Sequence, residues 1–183
     1  ALSLGISAGE QWIYKWDDVQ GKGVEYISFS KASLGVDYNP RAAGISVNGS
    51  LDGNATIIVT IAQSTDVFIW TVTGGNLNKT PKKYSFPYSG ASYYWSISAM
   101  PASQGGYVGF VTNNSLDKSG VVCMSDMMSE TQRISGFFVT DGKTISYKGR
   151  DYLAFVSHNN SKGTMWICDI TGGHKEAYEN PIF

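Results

Sequence analysis

The chain has 183 residues, 42% of them hydrophobic, enough to build a sizeable core in one or two domains. Its 14 basic and 15 acidic residues leave a net charge of -1 with no block of either sign, which argues against a nucleic-acid surface, because neutralising phosphates takes a basic stripe. Only 16% of residues are charged, beside 21 glycines and 13% aromatics, a balance that favours tightly turned sheets over helices; no apolar run approaches the ~20 residues that span a bilayer as a helix.

In chain order, the first predicted strands are Leu2-Ser-Leu-Gly-Ile-Ser7, Gln11-Trp-Ile-Tyr-Lys-Trp-Asp17 and Val24 to Ser30. No basic and apolar leader precedes them, and strand begins at once, so the natural N-terminus is expected upstream. A second set follows at Ala43 to Val47, Ala55 to Ile61, Asp66 to Gly75 and Lys83 to Tyr88. The third set is Tyr94 to Ala99, Tyr107 to Asn114, Gly120 to Asp126 and Gln132 to Val139. The fourth is Lys143 to Tyr147, Tyr152 to Asn160, Gly163 to Asp169 and Ala177 to Phe183. Asp52-Gly53, Gly105-Gly106, Asp141-Gly142 and Lys162-Gly163 lie between apolar runs, where glycine supplies the positive φ of a tight hairpin.

These sets are copies of one unit. Tyr107-Val-Gly-Phe-Val-Thr-Asn-Asn114 matches Tyr152-Leu-Ala-Phe-Val-Ser-His-Asn-Asn160, and Val72-Thr-Gly-Gly75 returns as Ile170-Thr-Gly-Gly173. The period is about 43 to 55 residues, that of a four-stranded propeller blade. The expected fold is therefore all-β: a β-propeller of four-stranded antiparallel blades, with blades at roughly 1–35, 43–88, 93–139 and 143–183, the first lacking its inner strand. About four blades make either a compact ring or part of a larger one. A β-sandwich is the alternative, since it too spaces short strands regularly.

Chemistry-bearing motifs are few. Gly5-Ile-Ser-Ala-Gly9 spells G-x-S-x-G, but a nucleophile elbow needs a helix after it, and a strand follows instead. Asn48-Gly-Ser-Leu-Asp-Gly53 opens like a calcium loop, yet Val59 stands where the bidentate Glu belongs, so a hairpin turn is expected. Asp17, Asp126 and Asp169 recur at one repeat position; a catalytic group is needed only once, so recurrence points to a turn or cap role. Five Asn-x-Ser/Thr sequons, at Asn48, Asn54, Asn78, Asn113 and Asn159, sit in turns that favour Asn in any case. Cys123 and Cys168 lie in apolar strands and, with His158 and His174, do not make a zinc set; they read as buried small hydrophobes, or as one bridge between sheets. No cofactor, metal or catalytic constellation is expected.

Aromatics are the remaining signal. Tyr93-Tyr-Trp95 reads as a loop beside Ser89-Gly-Ala-Ser92, on the side where the connections between blades and the middle hairpin turns emerge together. That face is predicted to gather Tyr38, Arg41, Tyr93, Tyr94, Trp95, Asn114 and His158, a mixture suited to a sugar or a peptide. The competing reading tucks these rings under their own loops.

Ser46-Val-Asn-Gly-Ser-Leu-Asp-Gly-Asn-Ala-Thr-Ile57 and Phe68-Ile-Trp-Thr-Val-Thr-Gly-Gly75 resemble a family of secreted or outer-membrane-anchored propeller lipoproteins of Bacteroidetes. The resemblance implies a cell-surface location and capture of glycans or peptides, and brings no catalytic motif with it. The expected function is a non-catalytic extracellular binding module. The alternatives are a glycan-active propeller enzyme with carboxylates in its central channel, or a structural subunit packed against the rest of a larger propeller or an outer-membrane complex.

Overall fold

The computed structural model describes residues 2–7, 10–85, 92–99, 106–113, 115–124, 130–159 and 162–171. Within them the chain forms four antiparallel sheets, taken up one after another along the sequence. The first holds β1 (Leu2–Ser7), β2 (Glu10–Asp17) and β3 (Lys22–Ser30). The second holds β4 (Ala42–Gly49), β5 (Ala55–Ile61) and β6 (Asp66–Thr73), with short β7 (Asn76–Leu77) and β8 (Lys82–Ser85) both on the far edge of β6. The third runs β9 (Ser92–Ala99), β10 (Tyr107–Asn113), β11 (Gly120–Met124) and β12 (Glu130–Ser135). The fourth runs β13 (Phe138–Tyr147), β14 (Arg150–Asn159) and β15 (Lys162–Asp169).

Three separate cores lie between consecutive sheets. Ile13, Ile27 and Phe29 of the first meet Ile57, Phe68 and Trp70 of the second. Ile58, Val67 and Ile69 on the opposite face of the second sheet meet Ile97, Val111 and Val122 of the third. Val108, Phe110 and Cys123 of the third meet Leu153, Phe155 and Cys168 of the fourth. Successive strand residues point to opposite faces, so a sheet buried on both sides must be apolar at nearly every position. Ala55-Thr-Ile-Ile-Val-Thr-Ile61 meets that demand, with six of its seven residues buried.

The opening strands of the sheets lie side by side: β1 beside β4, β4 beside β9, and β9 beside β13. Polar side chains fasten the sheets to one another along and beside this seam. The Ala42 amide donates to Gln11 Oε1 at 3.2 Å, Ser46 Oγ donates to the Ile97 carbonyl, and Thr144 Oγ1 donates to the Ala99 carbonyl at 2.8 Å. Each bond joins one sheet to the next, and so fixes their relative register in a way apolar contacts do not.

Four sequence expectations change. Tyr93-Tyr-Trp95, read as a loop although a strand was expected from Tyr94, lies wholly in β9, where Tyr93 pairs with Thr112, Tyr94 with Val111, and Trp95 falls at a bulge opposite Phe110/Val111. Aromatic residues are strand formers, and three in a row extend the strand back to Ser92. Asp141-Gly142 is not a hairpin turn but the interior of β13, just past a bulge between Val139 and Asp141. The glycine serves close approach instead: a Cβ there would stand 2.2 Å from the Phe110 ring. Lys162-Gly163 is not a turn but pairs with Asn159 and His158 as strand. The strand expected over Gln132 to Val139 is split between β12 and β13, divided at Gly136, whose φ of 102° no other residue adopts readily.

A four-residue helix α1 (Lys31–Leu34) also stands where no helix was expected. Ser30 and Ser33 cap it reciprocally and Gly35 ends it at φ 64°. The Gly74-Gly75 turn joins β6 to β7 with both residues at positive φ. The recurrent aspartates do serve turns: Asp17 Oδ1 accepts from the Val19 and Gln20 amides, and Asp169 Oδ1 from the Thr171 amide. Asp126 and the strand expected over 177–183 lie outside the described residues.

Candidate functional site

The predicted binding face starts in the connection from β3 to β4, which carries Tyr38 and Arg41. Its neighbour is the turn between β5 and β6: the Ala62 amide donates to the Arg41 carbonyl at 2.7 Å. The same arrangement recurs one sheet on, where the Gly136 amide, between β12 and β13, donates to Leu116 and Ser119 carbonyls in the turn between β10 and β11. The two kinds of connection thus emerge on one side, as the topology required.

Tyr38 itself is a clamp and not a platform. Its ring packs on the core between the first and second sheets, and its hydroxyl donates to the Asp66 carboxylate while accepting from Ser64 Oγ at 3.3 Å. Ser85 Oγ donates to the other Asp66 oxygen, and Lys83 Nζ stands 3.0 Å from the first. Burial pushes the Asp66 carboxyl up, but the hydrogen bonds from Ser85, Tyr38 and Lys83 and the lysine's charge outweigh it and hold the group below its usual range. Burial, with the bond to Asp66, pushes the Tyr38 phenol up to about 12. This cluster closes the end of the second sheet; its polar atoms are spent on one another.

Arg41 is exposed. The side chains of Tyr93, Tyr94, Trp95 and His158, and all of Asn114, lie outside the described residues, so of the predicted set the structure brings together only Tyr38 and Arg41.

A different site emerges along the seam of opening strands. A cavity of about 510 Å³ is bounded by Leu2 of β1, Ile45 and Val47 of β4, Ser98 of β9, and the face of the fourth sheet that carries Lys143, Val156 and Met165. A smaller pocket of about 140 Å³ continues from it between β4, β9 and β13, lined by Asn48, Ser98, Lys143, Thr144 and Ser146 among others. Ser46, Val47, Ser98 and Lys143 belong to both. Ser46 and Thr144 are committed to the seam and Ser146 Oγ to Asp151 Oδ1 at 2.6 Å. The Ser98 hydroxyl, in a residue only 4% exposed, and the Lys143 ammonium have no protein partner among the described residues.

The sequence held a faint signal for this site. Middle strands such as β5 and β11 are apolar almost throughout, whereas Ser46, Asn48, Ser98 and Lys143 interrupt the opening strands.

The fold is shared. Over 100% of this chain and 44% of its own, the crystal structure of a DUF4623 family protein from Bacteroides eggerthii DSM 20697 superposes with a TM-score of 0.66 at 17% identity. The chain therefore spans less than half the length of that protein. No family model and no curated protein matches the sequence. A Bacteroides neighbour agrees, at the level of fold, with the Bacteroidetes resemblance of the sequence.

The seam can do two things chemically. Its apolar walls accept carbon, and a lysine ammonium with a hydroxyl and an amide accepts oxygen. Asp141 is the one carboxylate among the described residues lining the cavity. No group of three metal-ligating side chains occurs among the described residues.

Proposed function

We propose that the chain is an arc of a β-propeller acting as a surface-held extracellular binding module, with a glycan or peptide held where the opening strands converge. The propeller reading is supported by four sheets taken in chain order, three separate inter-sheet cores, and packing between sheets that concentrates on their opening strands. Two facing sheets of a sandwich share a single core instead. The cell-surface placement and any lipid anchor rest on the sequence resemblance alone.

The binding reading is carried by the cleft. Lys143 and Ser98, without a protein partner among the described residues, stand beside Ile45, Val47 and Met165, a donor pair framed by apolar walls, which is how pockets orient small ligands. Hydrolysis of a glycosidic bond in the usual way takes two facing carboxylates, and Asp141 has no second acid across the cavity among the described residues. Binding without turnover is the reading these groups favour.

The test is a panel of glycans and peptides presented to the protein, followed by titration of any ligand found. Lys143→Ala should weaken binding by about 1.5–3 kcal/mol, the worth of a hydrogen bond to a charged group, without lowering the melting temperature. If Trp95→Ala abolishes binding and Lys143→Ala leaves it intact, the ligand sits on the loop face and the cleft reading is wrong.

A further inference from the structure

The two end sheets each show a face that the middle sheets bury. On the fourth, Ile145 and Met165 are 46% and 56% exposed, and Tyr147 58%, on the side away from the third sheet. On the first, Trp12, Tyr14 and Trp16 alternate along β2 opposite to Ile13, which is fully buried against the second sheet; Trp16 is 49% exposed. Each face carries large apolar side chains, beside Glu25 and Ser28 on the first sheet and Asp141 and Lys143 on the fourth.

The two end faces differ in kind. Large aromatics face the preceding sheet on the second and fourth sheets, Phe68 and Trp70 on the second and Phe155 and Trp166 on the fourth, whereas the third sheet turns Ile97, Val111 and Val122 that way. The faces that look forward carry Ile58, Val67 and Ile69 on the second sheet, but Phe29 on the first and Phe110 on the third. Trp12, Tyr14 and Trp16 give the first sheet a backward face like those of the second and fourth, and Ile145 and Met165 give the fourth a forward face like that of the second. Both ends are thus built for another sheet of this repeat.

We infer that both faces are docking surfaces for further sheets of the same ring, carried by the same polypeptide beyond these 183 residues. The inference rests on the propeller reading. The length of the DUF4623 neighbour supports the source: this chain accounts for 44% of it, and a single polypeptide there holds more than twice this span. An open stack exposes such faces to water, and a ring of up to about eight blades removes both ends at once. The cavity on the forward face of the fourth sheet is bounded by Val156 and Met165, so the next sheet would also wall the ligand cleft.

Cysteine labelling decides it, because the native thiols give little background. Cys123 and Cys168 are buried, and burial pushes the Cys168 thiol up to about 11. Met165→Cys and Trp16→Cys would be placed singly in the 183-residue chain and in the protein made from its complete reading frame. Val19→Cys, in a turn residue 97% exposed, is the reference. In the short chain, cysteines at 16 and 165 should react with a maleimide within a few-fold of the one at 19. In the full product they should react at least tenfold slower, while 19 is unchanged and sedimentation reports a monomer. Equal reactivity in both forms overturns the inference. So does protection of the short chain that appears together with a doubled mass, which would assign the faces to a second copy. A reading frame with nothing beyond these residues overturns it as well. Small-angle scattering of the short chain tests the ring reading separately, since a curved fan and a flat two-layer sandwich of equal mass differ in shape.

Discussion

The second and fourth sheets are built from copies of the same unit, yet they read differently residue by residue. Along β5 and β6 burial is almost unbroken, whereas along β14 it alternates: Leu153 buried, Ala154 half-buried, Phe155 buried, Val156 exposed, Ser157 buried. The difference lies in what stands on either side. A sheet with neighbours on both faces loses its polar alternation; a sheet with one neighbour keeps the period of two, even when the outward residues are apolar.

The sharpest way to break this contrast is to remove a side chain that serves the doubly covered sheet. Trp70 is 1% exposed and packs its ring against Phe29 and Phe68 at centroid distances of 5.6 and 6.3 Å. Trp70→Ala should cost about 3–5 kcal/mol, read from the denaturant midpoint. A loss below 1 kcal/mol would mean that the first and second sheets are not held together as described.

Overpacking the next interface should cost less. Gly142→Ala sets a methyl group against the Phe110 ring, which must shift within a core that also holds Phe155 and Leu153; about 1–3 kcal/mol is expected. The double change with Phe110→Leu should recover part of it, and absence of recovery would place the strain elsewhere.

A third measurement separates polar from apolar support of the second sheet. The Asp66 carboxyl is held below the ~3.9 of an unfolded aspartate, so as pH falls the unfolded chain takes up this proton before the native protein does. Its stabilisation is complete above about pH 4 to 5 and is lost as pH drops through the native value. Asp66→Asn should lower stability at pH 7 by about 1–2 kcal/mol, because a charge-assisted hydrogen-bond set becomes a neutral one. It should also flatten the acid limb of the stability curve; an acid limb as steep as the wild type's assigns it to other carboxylates.

At the other extreme, Met165→Ala on the open face of the fourth sheet should change the stability of the 183-residue chain by no more than about 0.5 kcal/mol. A core-sized loss would show that this face is already covered.

Much of the fold was legible because the repeat carries it. The pairs β5–β6 and β14–β15 lie close to where the apolar runs and their polar ends put them, and the aspartates closing β2 and β15 serve the turns that their recurrence indicated. Asp141-Gly142 misled because the same dipeptide that sits in a hairpin turn also makes room: Asp52-Gly53 lies in the turn between β4 and β5, where Gly49 and not Gly53 takes the positive φ, and Gly142 admits a ring from another sheet. Nothing local in the sequence distinguishes the two. Tyr38 was legible as a loop aromatic, but its partner Asp66 is 28 residues away, and only the folded topology shows that its hydroxyl is already taken. The seam was hardest to see, since Ser98 and Lys143 acquire meaning only when three strands from three sheets are brought together.

Strand order follows chain order in the first, third and fourth sheets and in the second as far as β7, and this has a consequence for how the molecule opens. Each sheet closes through hairpins between sequence neighbours, so little loop entropy separates one from the next and each can come apart as a unit. Amides of β5 and β6, walled on both sides, should exchange with solvent only on global unfolding. Those of β1 and β15, at the ends of the stack, should exchange through local opening orders of magnitude sooner, and the protection map along the sequence should rise toward the second and third sheets and fall toward each terminus.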